Sequence, residues 1–290
     1  MQKNKYSIIM TTYNREHVIG HAIESVLSQT YHDFEFLIID NGCTDRTFDV
    51  VSSFKDNRIE YIKNPQPSNS CDAPRNLGIQ KSKGKYIAFI DDDDAWYPKK
   101  LEVVNEAFQK HKEVSVVCHQ ETIIKNNVVI RKSSYGPWTE DFYERLLYDG
   151  NCLSPAAMVI DKKVFDVLGR FDVREDFDAA SDYDMWLRIA KKNYRFYFIN
   201  EILGEFAITG DNKSISNPDF DQKIINIVLF HLKAYEKREY CFSRKGAMRL
   251  LKLHYVMSKS YIQCGRWREA LTSMFKMPHY FSETVCGKHQ

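Results

Sequence analysis

Over residues 6–90 the chain alternates short apolar runs with amphipathic stretches. Tyr6–Met10, Phe34–Ile39, Ile59–Ile62 and Tyr86–Ile90 have the length and composition of buried strands. Between them lie helical stripes, first Val18, Ile19, Ala22, Ile23, Val26 and Leu27, then Val50, Val51 and Phe54. A short helix over Ala73–Ser82 follows, closed by Gly84. Repeated strand–helix alternation of this kind predicts a parallel sheet with right-handed crossovers. Three strands run into polar clusters, Thr11–Arg15, Asp40–Gly42 and Asp91–Asp94. In an open α/β sheet such ends meet at one edge, which is where nucleotides bind.

The second half is less regular. Val114–Cys118 and Val128–Lys132 read as strands, and residues 133–140, with Gly136-Pro137-Trp138, read as a loop. Ala156–Ile160 is apolar, and Lys162–Leu168 is a helical stretch closed by Gly169. A helix begins at Asp182, with Met185, Trp186 and Ile189 facing inward, and Tyr194–Ile199 and Ile202–Ile208 are two predicted strands. The polar, turn-rich stretch 210–218 marks a boundary. It separates a domain at 1–216 from a helical appendage at 217–290, whose runs are Ile224–Tyr235, Gly246–Ile262 and Trp267–Phe275.

Charge sharpens this division. The formal net charge is only +2, yet residues 220–290 carry 13 Lys and Arg against 5 Asp and Glu, leaving residues 1–219 at −6. An acidic body with a basic tail fits two separate tasks, or one chemical task plus attachment to something anionic. Seven cysteines without a C-x-x-C pair read as reduced thiols rather than a disulfide or zinc framework. No signal peptide is expected at the N-terminus, and no apolar run approaches the ~20 residues that cross a bilayer. A soluble or peripheral protein on the cytosolic side is therefore expected.

The densest chemical signal is Asp91–Asp94, four carboxylates at the end of a buried strand. Like charges so close are best tolerated when a cation or water screens them. Mg²⁺ or Mn²⁺ held by one or two carboxylates and by substrate phosphates fits. A solvated acidic turn capping the helix that starts near Lys99 fits equally well on these residues alone.

Four stretches in order decide between these readings. They are Ser7-Ile8-Ile9-Met10-Thr11-Thr12-Tyr13-Asn14-Arg15, Phe36-Leu37-Ile38-Ile39-Asp40-Asn41-Gly42-Cys43-Thr44-Asp45, Phe89-Ile90-Asp91-Asp92-Asp93-Asp94, and Ser181-Asp182-Tyr183-Asp184-Met185-Trp186-Leu187-Arg188. With them the chain resembles the inverting family 2 glycosyltransferases over roughly Tyr6–Ser216. The resemblance implies a GT-A type α/β fold, with a mostly parallel central sheet flanked by helices and here a C-terminal helical appendage. It implies that Thr11, Tyr13 and Arg15 line a nucleotide pocket and that Asp40 hydrogen-bonds a uracil imide. Arg75, in Ala73-Pro74-Arg75-Asn76, would meet phosphate at a helix N-terminus. Asp91 and Asp93 match the family's D-x-D pattern. Asp93 would be the main metal ligand, Asp91 would lie nearer the ribose, and Asp92 or Asp94 would have a supporting role, Asp92 at the nucleotide. Where many members carry a further histidine ligand after the last core strand, this chain has Thr209. Asp182 matches the catalytic carboxylate, the base that takes the acceptor hydroxyl proton in a single displacement.

The activity so implied is metal-dependent transfer of a sugar from a UDP-sugar to a hydroxyl of a glycan or lipid-linked acceptor. Surface-polysaccharide synthesis at the inner face of the membrane is the associated setting. The basic tail suits anionic headgroups, and no motif points to nucleic acid. Two other readings are a nucleotidyltransferase, for which Thr11–Arg15 supplies no glycine-rich phosphate loop, and a degenerate GT-A scaffold acting through its helical tail.

Overall fold

The structure, a computed structural model, describes residues 5–68, 70–126, 128–151, 153–209, 217–238 and 242–276. The turn-rich stretch expected at 210–218 therefore lies mostly outside the described residues. The chain separates into two compact units. One comprises Met1–Glu140, Cys152–Phe171 and Arg188–Gly210, the other Asp141–Asn151, Asp172–Leu187 and Asp211–Gln290.

In the first unit β1 (Tyr6–Thr12), α1 (Ile19–Leu27), β2 (Phe34–Asp40), α2 (Thr47–Ser53), β3 (Ile59–Lys63), α3 (Asp72–Lys81) and β4 (Tyr86–Asp91) alternate as the sequence predicts. β3, β2, β1 and β4 are parallel neighbours in that order. β1, β2 and β4 are covered on both faces, which is why they read as nearly continuous apolar runs, whereas the edge strand β3 is only partly buried. Successive side chains still face opposite ways. Tyr6, Ile8 and Met10 join α1 and the later helix α4 in one core, whereas Ile9 packs on Gly78 of α3.

Beyond β4 come β5 (Ala95–Trp96), α4 (Lys100–Lys110), β6 (Val114–Lys125), β7 (Val128–Lys132), α5 (Phe142–Asp149), β8 (Met158–Asp161) and α6 (Lys163–Leu168). α7 (Ser181–Lys191) then leads to β9 (Arg195–Ile208). Here the sheet turns mixed, because β8 inserts antiparallel between β4 and β6 while β9 runs parallel to β6. The two strands predicted around Asn200-Glu201 are one strand. His119 pairs with Ile199 and Gln120 with Ile202, so the intervening polar pair is a bulge rather than a break.

In the second unit α5 packs with α8 (Pro218–Glu236) and α9 (Arg244–Gln263), and α10 (Trp267–Lys276) packs on α9. α8 starts at an Asn217 cap that accepts from the Asp219 amide, with Pro218 in its first turn. α9 starts at a Ser243 cap that accepts from the Gly246 amide. No described helix is long and apolar enough to cross a membrane.

Candidate functional site

Strand register assembles the site. In the parallel ladders Thr12 stands opposite Asp40, and Thr11 stands opposite Asp91. Three polar clusters far apart in sequence thus end at the same sheet edge, as the motif reading requires.

Each cluster has its own local geometry. Asp40 Oδ1 accepts the backbone amides of Gly42 (2.9 Å) and Cys43 (2.6 Å), closing a turn that needs Gly42 at φ +98°. Burial pulls the Asp40 carboxyl upward, but the Cys43 amide, the Cys43 and Tyr61 side chains and the Gly42 amide together hold it below its ordinary value. The Asn41 amide donates to Thr12 O (2.9 Å), tying the β1 and β2 ends together. Tyr13, just past β1, is 58% exposed, so its ring is open to stacking.

The aspartate turn is not a solvated cap. Asp92 and Asp94 are buried, and the Asp94 amide bonds back to Asp91 O (3.2 Å). Arg75 donates from Nη2 to Asp91 Oδ1 at 2.7 Å. It reaches there from the first turn of α3, where Pro74 is tolerated because early helical amides lack partners anyway. Arg15 Nε lies 3.5 Å from Asp92 Oδ1. Thr209 Oγ1 donates to Asp93 Oδ2 (3.2 Å), and the Ala207 amide donates to Asp94 Oδ1 (2.9 Å).

Burial raises the Asp92 carboxyl to about 7, with Arg15 opposing it. Burial, then the charge of Asp91, also raises Asp93. Four carboxyls thus gather beside two arginines, and burial works against the charged forms of Asp92, Asp93 and Asp94, a setting in which a hard divalent cation would favour the ionised carboxylates. Among the described residues no group of three His, Cys, Asp or Glu side chains could hold a metal unaided. Asp91 and Asp93 carry oxygen donors of the kind that such a cation takes alongside water and substrate phosphates.

Behind the turn lies a buried polar layer that the sequence reading missed. Lys100 is fully buried, donates to Ala156 O (2.5 Å), and sits 3.3 Å from the Trp96 ring centre. Burial pushes its ammonium well below the ordinary range, with the Glu121 charge opposing. Glu121 accepts from Tyr135 Oη (2.7 Å). In sequence Lys100 is the second of two lysines at a helix start, which carries no sign of burial.

Asp182 belongs to the second unit. It lies half-buried in the first turn of α7, where its Oδ1 accepts the Tyr183 amide (2.8 Å). Trp186 is fully buried, as the helical stripe predicts.

The glycosyl transferase family 2 model matches residues 7–169. The chain is 35% identical over 188 residues to the UDP-Glc:alpha-D-GlcNAc-diphosphoundecaprenol beta-1,3-glucosyltransferase WfgD of Escherichia coli, covering 64% of this chain and 70% of that protein. It spans only 32% and 38% of the length of two Rickettsia glycosyltransferases that it also matches. Among solved structures, S. aureus TarS 1–349 in complex with UDP-GlcNAc superposes with a TM-score of 0.68 at 18% identity, covering 94% of this chain and 81% of that one. The mannosyltransferase PcManGT from Pyrobaculum calidifontis, in complex with GDP-Man and Mn²⁺, gives 0.59 at 13% identity, covering 99% and 76%. At these identities the structural likeness is one of fold, the mixed α/β GT-A architecture. Match and motif order agree: the chain belongs to glycosyl transferase family 2, a family of enzymes.

Proposed function

We propose that the chain is an inverting glycosyltransferase that moves a sugar from a UDP-sugar to a hydroxyl of a lipid-linked or glycan acceptor. The observation that carries this reading is the register that sets Thr11 opposite Asp91 and Thr12 opposite Asp40 in a member of this family. WfgD, by its name, uses UDP-Glc and a diphosphoundecaprenol-linked acceptor, which supports that choice of substrates. Residues 1–216 form the transferase domain of the proposal and residues 217–290 its appendage.

Each side chain has a chemical task. Asp40 accepts the uracil imide proton, and Tyr13 offers a ring face to the base. Thr11 and Asp92 border the ribose and phosphates, and Arg15 and Arg75 supply positive charge to the diphosphate. Asp93 and Asp91 would hold Mn²⁺ or Mg²⁺, which when bound neutralises the leaving diphosphate as a Lewis acid. PcManGT, solved with Mn²⁺, is a precedent of the same fold. Asp182 takes the acceptor proton as the hydroxyl attacks the anomeric carbon, one displacement giving inversion.

The appendage is proposed to touch an anionic bilayer surface. Trp267, Leu271 and Phe275 lie at i, i+4 and i+8 on α10 and are exposed, beside Arg266 and Arg268. Action at the inner face of the cell membrane is part of the same proposal, supported by that exposed face and by the lipid-linked acceptor in WfgD's name.

Calorimetric titration of UDP, GDP and CDP, each with and without Mn²⁺, tests the reading. UDP binding that requires the metal and disappears in Asp93→Ala is expected. No nucleotide binding under any condition would return the chain to the scaffold reading.

A further inference from the structure

Inside the second unit a hydrogen-bonded chain runs behind the start of α7. His231 of α8 bonds through Nε2 to Asp184 Oδ1 at 2.9 Å, and the two residues are 3% and 1% exposed. On its other side His231 Nδ1 faces Tyr143 Oη of α5 at 3.4 Å. The residue between Asp182 and Asp184 is held as well, since Tyr183 Oη donates to Leu146 O of α5 at 2.5 Å.

These contacts constrain Asp182 without touching it. Successive residues turn by about 100° around a helix, so Asp182 and Asp184 lie about 200° apart on nearly opposite faces. A bond that pulls Asp184 inward therefore turns Asp182 outward. The Tyr183 bond acts at the intermediate azimuth and on a different helix. Two anchors at different angles fix both the rotation of α7 about its axis and its height against α5 and α8. An unanchored first turn would leave the Asp182 carboxylate spread over orientations, and proton transfer at attack distance tolerates little such spread.

We propose that His231, a residue of the C-terminal appendage, is a positioning residue for Asp182, acting through Asp184, with Tyr143 orienting the imidazole. The inference rests on Asp182 being the base. It gives α8 a part in turnover distinct from any membrane contact, and it accounts for the second aspartate of Asp182-Tyr183-Asp184.

The test uses the full chain and follows UDP release from UDP-glucose or UDP-GlcNAc, whichever the wild type turns over, with UDP affinity measured by calorimetry and folding by thermal unfolding. His231→Leu is expected to lower kcat about 10- to 100-fold with the KM for the donor and the UDP affinity little changed. His231→Gln keeps an N–H donor at the reach of Nε2 and is expected to recover most of that loss. Tyr143→Phe, which keeps the ring and removes only the hydroxyl, is expected to lower kcat severalfold and serves if His231→Leu does not fold. A folded His231→Leu or Tyr143→Phe at the wild-type kcat, or a His231→Gln no better than His231→Leu, overturns the positioning role. Asp182→Asn, run alongside, separates the failures: full turnover in that variant overturns the base itself, whatever His231 does.

Discussion

Arg75 Nη2 lies 2.7 Å from Asp91 Oδ1, joining the first turn of α3 to the last residue of β4. The arginine is nearly buried, and the Asp91 side chain is one-third exposed. One cation so placed both offsets the carboxylate cluster and stands where a donor phosphate is proposed to arrive. Arg75→Met is expected to lose about 1–3 kcal/mol of stability, water at Asp91 softening the loss, and to weaken UDP binding. Arg75→Lys keeps the charge but not the planar fork and should fall between. Urea unfolding and UDP titration read the two effects separately.

Asp40→Asn retains an acceptor oxygen for the Gly42 and Cys43 amides while removing the charge offered to an imide. UDP affinity should drop about 10- to 100-fold, as for a lost hydrogen bond to a charged group, with the fold intact. The same carboxyl gives a pH signature. Its folded value is depressed, so its stabilising effect is complete above the ordinary carboxylate range near pH ~4 and is lost as pH falls through the lower folded value. Acid unfolding of the wild type should therefore show a contribution that Asp40→Asn lacks. Identical acid profiles would contradict the assignment.

Asp182→Asn should lower kcat by about 10²- to 10⁴-fold, the range of general-base catalysis. UDP and metal affinity should stay as in the wild type. An equal loss of UDP affinity would instead make Asp182 part of the donor site.

Gly84 tests the fold that brings the strand ends together. A Cβ there would lie 2.6 Å from the backbone of Tyr6 and Ser7, atoms that cannot step aside. Its amide donates to Ser7 Oγ (2.8 Å). Gly84→Ala should cost about 1–3 kcal/mol by overpacking. Gly20→Ala, in α1 with only an ordinary contact to Val50 at 3.8 Å, should instead stabilise by about 0.4–1 kcal/mol. Thermal unfolding of the pair should show opposite signs.

Replacing Trp267 and Phe275 together by serine should reduce sedimentation with phosphatidylglycerol vesicles, since both rings are exposed on α10. Binding unchanged by the pair, or equal on neutral vesicles, would remove the bilayer from the proposal.

Much of this was legible in the residues. The strand and helix periods of residues 6–90 determined the parallel β3-β2-β1-β4 half, because a side chain's face depends only on local spacing. Motif order was enough for the family resemblance. Where polarity misled, tertiary pairing had overridden it: Asn200-Glu201 separates two predicted strands but is a bulge within β9, its neighbours held by the long ladder with β6.

What the sequence could not decide is protonation, burial and registration. Asp91–Asp94 look like four equivalent carboxylates, yet only the fold buries Asp92 and Asp94 and gives Asp91 and Asp93 different partners, Arg75 and Thr209. Lys100 looks like a surface lysine and is fully enclosed. Asp184 looks like a second copy of Asp182, and only the packing of α8 turns it inward onto His231. Desolvation and charge pairing depend on neighbours brought from distant parts of the chain, whereas periodicity depends on residues a few positions apart. Local order therefore determined the elements and their faces, and tertiary contact decided which polar groups within them remain available for chemistry.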